Sequence, residues 1–221
     1  MKRRGRIALV VNTRSRRGAS LYADAHAALH AMGFAVDGHA VTDPGQLRAV
    51  VAEAISGRPD ILALGGGDGT ISGVVDELVG KTVPLALLPL GTANSFARSL
   101  GIPLDLDGAI TILAAGHRRR VDLGRIDEDC FANVAALGLA PLIGQTIPHG
   151  LKKWGGRLGY AVWALGQLAQ FRPFEVAIDG RVFSAVEVRI ANGKYQGGAE
   201  VVANAEVDSG ELVVQIVTGR H

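Results

Sequence analysis

The residues Gly65-Gly66-Gly67-Asp68-Gly69-Thr70 combine the types that bind phosphate. Glycines let the backbone approach a ligand and turn its N–H groups inward, and a helix start adds partial positive charge. Asp68 is the unusual member. A carboxylate beside phosphates repels them unless it holds Mg²⁺, a proton or another cation. Asp68 therefore suggests a metal–nucleotide complex or a catalytic acid. The plainer alternative is that it caps the helix that follows. The turn is not a Walker loop, because no Gly-Lys-Ser/Thr follows. It is not the dinucleotide fingerprint, because Thr70 stands where Gly or Ala is needed.

A second turn, Pro89-Leu90-Gly91-Thr92-Ala93-Asn94, repeats the design after Leu85-Ala86-Leu87-Leu88. Thr92 would cap a helix or donate to a phosphate, with Gly91 and Asn94 beside it. Asn12-Thr13-Arg14 follows the first apolar run, and Thr42 ends the second. On parallel neighbouring strands all four segments reach one carboxyl edge, where ligands collect.

The elements that would place them alternate. Ile7–Val11 reads as a buried strand, residues 20–31 as a helix ended by Gly33, and residues 34–42 as a strand. Pro44 opens a helix that runs to about Ser56. Strands are expected at 61–64 and 85–88, and helices at 71–79 and 92–100, closed by Gly80 and Gly101. This order predicts an α/β fold with a doubly wound, mostly parallel N-terminal sheet.

Past about residue 117 the pattern changes. Residues 121–126, 130–137, 174–178, 182–190 and 212–217 read as strands, with Asp179-Gly180 as a hairpin turn. A helix is expected over 157–170. The predicted division is a nucleotide-binding α/β domain, 1–117, and a β-rich antiparallel domain, 118–221.

Composition bounds the rest. The 221 residues are 48% apolar, with 30 glycines and a net charge of +2. Such a chain is globular, and nucleic acid is not an expected partner. Lys2, Arg3, Arg4, Arg6, Arg14, Arg16 and Arg17 all precede the first acid, Asp24; they would meet phosphates or form a solvated basic terminus. Cys130 alone supports neither an intrachain disulfide nor a cysteine-based zinc site. His26 and His30 lie i, i+4 with no third ligand in view. No run approaches the ~20 apolar residues of a membrane span. The expected location is the cytoplasm, with peripheral membrane contact and a homodimer left open. On the 157–170 helix, Leu158, Val162, Leu165 and Leu168 share a face, which would pack on a core or meet acyl chains or a membrane. His117-Arg118-Arg119-Arg120 would favour the C-terminus of a preceding helix.

Gly66-Gly67-Asp68-Gly69-Thr70, followed by Pro89 through Arg98, resembles the diacylglycerol kinase catalytic-domain family, which includes bacterial lipid kinases and sphingosine kinases. Val121-Asp122-Leu123-Gly124, Phe131 to Ala135 and Val188 to Gly198 resemble its later motifs. The resemblance implies an ATP-dependent lipid kinase that transfers the terminal phosphoryl of Mg-ATP to a diacylglycerol-like or sphingoid hydroxyl. It implies nucleotide contacts at Asn12, Thr42, Gly66 to Ser72 (with Ile71) and Thr92. It also implies Mg²⁺ near Asp68, support from Asp122, and a lipid substrate taken by the β-rich domain.

Several positions depart from that pattern. Thr13 stands where the family has Pro, Gly73 where it has Glu, Ser95 where it has Asp, and Ser209-Gly210 where some members have a metal-binding Asp-Gly pair. The family's Asp-Gly-Glu segment, whose acid is the usual general base, lies beyond the equivalent of His221. Asp179-Gly180-Arg181 is an earlier hairpin and does not replace it. Two other readings therefore remain, a nucleotide- or lipid-binding pseudokinase and, on the shared Gly-Gly-Asp-Gly, an NAD kinase.

Overall fold

The structure is a computed structural model and describes residues 4–13, 16–139, 142 and 171–218. The expected 157–170 helix and Arg14 lie outside the described residues. The chain divides into two compact units, the first 1–133 with 192–211, the second 134–191 with 212–221.

In the first unit, strands β1 (Arg6–Asn12), β2 (Ala35–Val41), β3 (Ile61–Gly66) and β4 (Leu85–Pro89) form one parallel sheet in the order β2-β1-β3-β4. The interior of β1, Ile7 to Val11, is an unbroken apolar run because both faces of the sheet are covered. Ala8 and Val10 face one core, with Leu62, Leu64 and Leu87 and with Val51 of helix α2 (Leu47–Ser56). Ile7, Leu9 and Val11 face the other. There they pack with Ala25 and Leu29 of helix α1 (Arg16–Ala31) and with Ile110 and Leu113 of a later helix. Ile7, Leu9, Val10 and Val11 are fully buried, and burial of each such side chain stabilises by roughly 1.5–3 kcal/mol.

The parallel α/β expectation holds, but several helices differ from their predicted extents. A 3₁₀ turn, Pro44–Gln46, capped by Asp43, precedes α2. The single helix expected over 71–79 is two, α3 (Asp68–Ser72) and α4 (Val75–Leu78). The break falls at Gly73, whose carbonyl accepts from Arg48 Nε at 3.0 Å instead of continuing a helical ladder. The helix expected over 92–100 shrinks to α5 (Ser95–Ser99), because Asn94 is left-handed at φ 49°. Helix α6 (Leu106–Ala115) follows, N-capped by Asp105 and closed by Gly116 at φ 74°.

The strand expected over 121–126 is shorter, β5 (Gly124–Ile126), and pairs with β6 (Asp129–Phe131). The predicted 130–137 strand is split between β6 and β7 (Val134–Gly138), and the 182–190 strand between β9 (Arg181–Ala185) and β10 (Glu187–Ala191). The second unit holds β7, the hairpin β8 (Phe174–Ile178) with β9, then β10 and a last strand (Val213–Val217). Asp179 at φ 50° and Gly180 at φ 77° make the expected hairpin turn. The last strand, β10 and β7 form an antiparallel sheet with β10 in the centre. Between β10 and that last strand, the chain returns to the first unit. There the short strands β11 (Tyr195–Gln196) and β12 (Ala199–Glu200) form a hairpin, so Val213–Val217 is β13. The predicted division at 117/118 falls inside the first unit.

Candidate functional site

β1, β3 and β4 end together at Asn12, Gly66 and Pro89, since Val11 is level with Gly65 and Gly66 with Pro89. The order of the sheet reverses between β1 and β3, the place where open α/β sheets bind ligands. Thr13 closes the neighbouring corner, its N–H and Oγ1 both donating to the Val41 carbonyl at 2.8 and 3.3 Å. Thr42 is exposed just past β2.

The two glycine-rich turns pack backbone to backbone. A Cβ on Gly91 would lie 2.5 Å from Gly67 Cα, so only glycine permits this approach. Leu90 N–H donates to the Gly66 carbonyl at 3.0 Å. Asn94 braces the second turn from within. Its Oδ1 accepts from Gly91 N–H at 3.0 Å and its Nδ2 donates to the Gly91 carbonyl at 2.9 Å. Asn94 is buried, and its side chain is spent on its own turn. Arg98 Nε donates to the Ala93 carbonyl at 3.0 Å.

Asp68 joins the turns more directly. Its carboxylate accepts the N–H groups of Ser95 at 2.9 Å and Phe96 at 3.0 Å. It caps α5, across the site, whereas capping of its own helix was the sequence alternative. Thr92, proposed as that cap, is exposed and makes no such bond. Two amide donors offset the Asp68 charge, which lowers the cost of a phosphate nearby.

The N–H groups of Thr70 and Ile71 go to the Gly67 carbonyl. Among the described residues, those of Gly67, Asp68 and Gly69 find no protein acceptor. A Cβ on Gly69 would meet nothing within 4 Å, so this side of the turn is open. Ser72 is exposed, whereas Thr70 is buried and Ile71 packs in the core with Leu47 and Val51. The Ile71 side chain therefore anchors the turn to the core.

These residues fit the phosphates of a nucleotide: free amides, glycine at the approach and an offset acid. They fit Mg²⁺ more narrowly. Among the described residues no group of three His, Cys, Asp or Glu side chains gathers around one point. Asp68 keeps lone pairs beyond its two amide bonds, enough for one ligand to an ion held mainly by phosphates.

Asp122 holds the 209–211 loop of the first unit. Its Oδ2 accepts Gly210 N–H at 2.7 Å, and its carbonyl accepts from Asn192 Nδ2 at 2.7 Å. Among the described residues no hydrogen bond or ion pair joins Asp122 to Asp68. Ser209 donates to the Glu206 carbonyl at 3.0 Å and accepts from Glu211 N–H at 3.3 Å, tying its loop internally. Arg119, expected to serve the end of a helix, instead pairs with Asp208 at 2.8 and 2.7 Å.

Sequence reasoning missed the support behind α5. Ser95 Oγ accepts Gly198 N–H at 3.2 Å. Ser99 Oγ donates to Asn133 Oδ1 at 3.0 Å, and Asn133 Nδ2 donates to the Tyr195 carbonyl at 2.7 Å. Asn192, wholly buried, donates to the carbonyls of Asp122 and Ala132. The available signal was the polar Asn192 at the end of an apolar strand run, directly before Gly193.

Comparison with known proteins gives consistent matches. Residues 6–126 match the diacylglycerol kinase catalytic domain, and residues 143–221 match the YegS C-terminal NAD kinase beta sandwich-like domain. A protein of Escherichia fergusonii named "Probable lipid kinase YegS" is 37% identical over 165 residues, which cover 70% of this chain and 55% of that protein. A Salmonella paratyphi A protein of the same name is 35% identical over 189 residues, covering 81% and 63%. The chain thus spans between 55% and 63% of the length of these relatives. A solved structure described as a "putative diacylglycerol kinase from Bacillus anthracis" superposes with a TM-score of 0.77 at 25% identity, covering 99% of this chain and 75% of that one.

Proposed function

The chain belongs to the diacylglycerol kinase catalytic-domain family, and from that premise we propose that it is an ATP-dependent lipid kinase. One observation carries the nucleotide assignment. The Gly67 and Gly91 turns are locked together by Asp68, while the neighbouring Gly69 faces open space with free amides around it. In this reading Gly66, Gly67, Gly69 and Thr70 supply backbone to the phosphates. Asn12, Thr42, Ser72 and Thr92 border them, Gly91 and Asn94 shape the second turn, and Asp68 offers one oxygen to Mg²⁺. When bound, Mg-ATP supplies the phosphoryl group and the ion's neutralising charge. The protein's part is to hold the phosphates in place and to keep the Asp68 charge offset by α5. Asp122 supports these residues, holding the 209–211 loop through Gly210.

The lipid is assigned to the β-rich unit. Leu137 and Val182 there are more than half exposed, at 53% and 65%, and Val214 and Val217 add apolar surface on β13. No helix among the described residues is long and apolar enough to cross a membrane. A cytoplasmic enzyme that meets its lipid at the membrane surface suits this combination.

A second reading, nucleotide binding without transfer, is favoured by one observation. Both Asp68 oxygens already serve as a structural cap. The deciding experiment offers labelled Mg-ATP to the purified chain with a panel of diacylglycerols and sphingoid bases. Labelled lipid that disappears in Asp68→Asn supports the kinase. ATP binding with no labelled lipid supports the second reading, and absence of ATP binding overturns both. Label on NAD in a parallel sample would instead indicate an NAD kinase.

A further inference from the structure

At the opposite, amino edge of the parallel sheet lies a cleft of about 410 Å³. It is bordered by residues that follow α2, precede β4 and follow α6. β3 separates it from the glycine-rich turn by its full length, roughly 17–20 Å at ~3.3 Å per residue. It is therefore not part of the candidate nucleotide site.

Its charge is one-sided. Arg58, Lys81 and Arg118 line it against a single acid, Asp60. Asp60 is already engaged, since its Oδ2 accepts Arg6 N–H at 2.7 Å. Among the described residues none of the three cations makes an ion pair. Thr82 adds a hydroxyl, and Val83 and Pro84 add apolar wall.

Arg58 is the telling residue. It follows the C-cap glycine of α2 at φ 52°, a conformation that favours glycine. Its backbone is pinned there: its N–H donates to the Ile55 carbonyl at 2.9 Å, and its own carbonyl accepts from the Arg6 guanidinium at 2.7 Å. A long cation thus occupies a position where glycine would be easier, and it lines the cleft.

We infer that this cleft binds a phosphate-monoester anion, held by Arg58, Lys81 and Arg118 with Thr82 as a hydroxyl donor. A monoester carries the near-double negative charge that three cations against one engaged acid can balance, and the apolar wall accommodates an attached carbon body. The same chemistry is offered by free small phosphates and by a lipid phosphate headgroup.

The test titrates the whole chain with inorganic phosphate and glycerol 3-phosphate by calorimetry. In parallel it measures co-sedimentation with phosphatidylcholine vesicles, with and without phosphatidic acid. The wild type is expected to bind at least one of these phosphates. The double variant Lys81→Glu/Arg118→Glu should weaken that binding tenfold or more. Arg58→Gly guards against a folding artefact: glycine suits φ 52°, so its melting temperature should not fall, while phosphate binding should weaken about threefold. Binding of the soluble phosphates identifies free phosphates as sufficient ligands. Binding only to phosphatidic acid vesicles identifies the lipid headgroup. No binding by the wild type, or equal binding by the wild type and Arg58→Gly together with the double variant, overturns the inference.

Discussion

The carboxylate of Asp68 accepts the backbone N–H of Ser95 at 2.9 Å, across 27 positions of sequence. The acid of the first glycine-rich turn is thus the cap of the helix that leaves the second. Any ligand that moves one turn must strain the other.

Asp68→Asn removes one of two cap acceptors and presents an N–H₂ to an amide. It should destabilise the first unit by about 1–2 kcal/mol, as loss of a helix cap does. Urea unfolding measures this. If transfer is lost while stability is unchanged, the cap is not the residue's main role.

Gly69→Ala and Gly91→Ala should part company. The alanine at 69 meets open space and sits in α3, so stability should hold or rise by about 0.5–1 kcal/mol, while nucleotide affinity falls about tenfold. At 91 the new Cβ strikes the Gly67 backbone, which should cost about 1–3 kcal/mol as well as binding. Thermal melts paired with nucleotide titration separate the two. Equal behaviour would contradict the proposed approach side.

Asn192→Ala leaves the buried carbonyl of Ala132 and the half-buried carbonyl of Asp122 without their donor. A loss of roughly 1–3 kcal/mol is expected, with no change in the second unit's hydrogen-exchange protection. Protection lost equally in both units would show that the residue's role is not local.

Arg119 gives two hydrogen bonds to Asp208, and these hold the Asp208 carboxyl below its usual 3.8 and raise the Arg119 guanidinium above its ordinary value. For a depressed acid, the stabilisation is present above the unfolded value near 3.8 and is lost as pH falls through the lower folded value. For a raised base, it is present below the unfolded value and lost as pH rises through the folded one. Both groups are solvent-exposed, so the effect is small. Asp208→Asn should remove that small stabilisation at neutral pH, and its difference from the wild type should shrink as pH falls below about 4. A difference from the wild type that persists undiminished in strong acid, where the carboxyl is protonated, would point to another cause.

The legible part of the fold is the part written locally. β1, β3 and β4 are short apolar runs into turn residues, and such runs are recognisable without a partner. Asp179-Gly180 is as plain, because two positive-φ positions need those residue types. The breaks at Gly73 and Asn94 depend on Arg48 and Asp68, which lie 25 and 27 positions from their partners, and a helical pattern does not carry that information. For the same reason the site's glycines and Asp68 could be picked out, whereas the use of Asp68 as a cap on α5 could not. The return of residues 192–211 to the first unit rests on Asn192 reaching back 60 and 70 positions. The Asn192-Gly193 pair marks the end of a strand, but not the distant carbonyls that Asn192 reaches.

That return governs the order in which the protein can be made. The first unit is interrupted by the whole of 134–191, so its last piece leaves the ribosome only after the second unit's central strand. Until Asn192 emerges, the carbonyls of Asp122 and Ala132 wait without their donor, and the hairpin behind α5 does not exist. The parallel sheet can assemble early, but the backing of its glycine-rich edge is a late event, and slow synthesis across 134–191 would prolong the half-finished state.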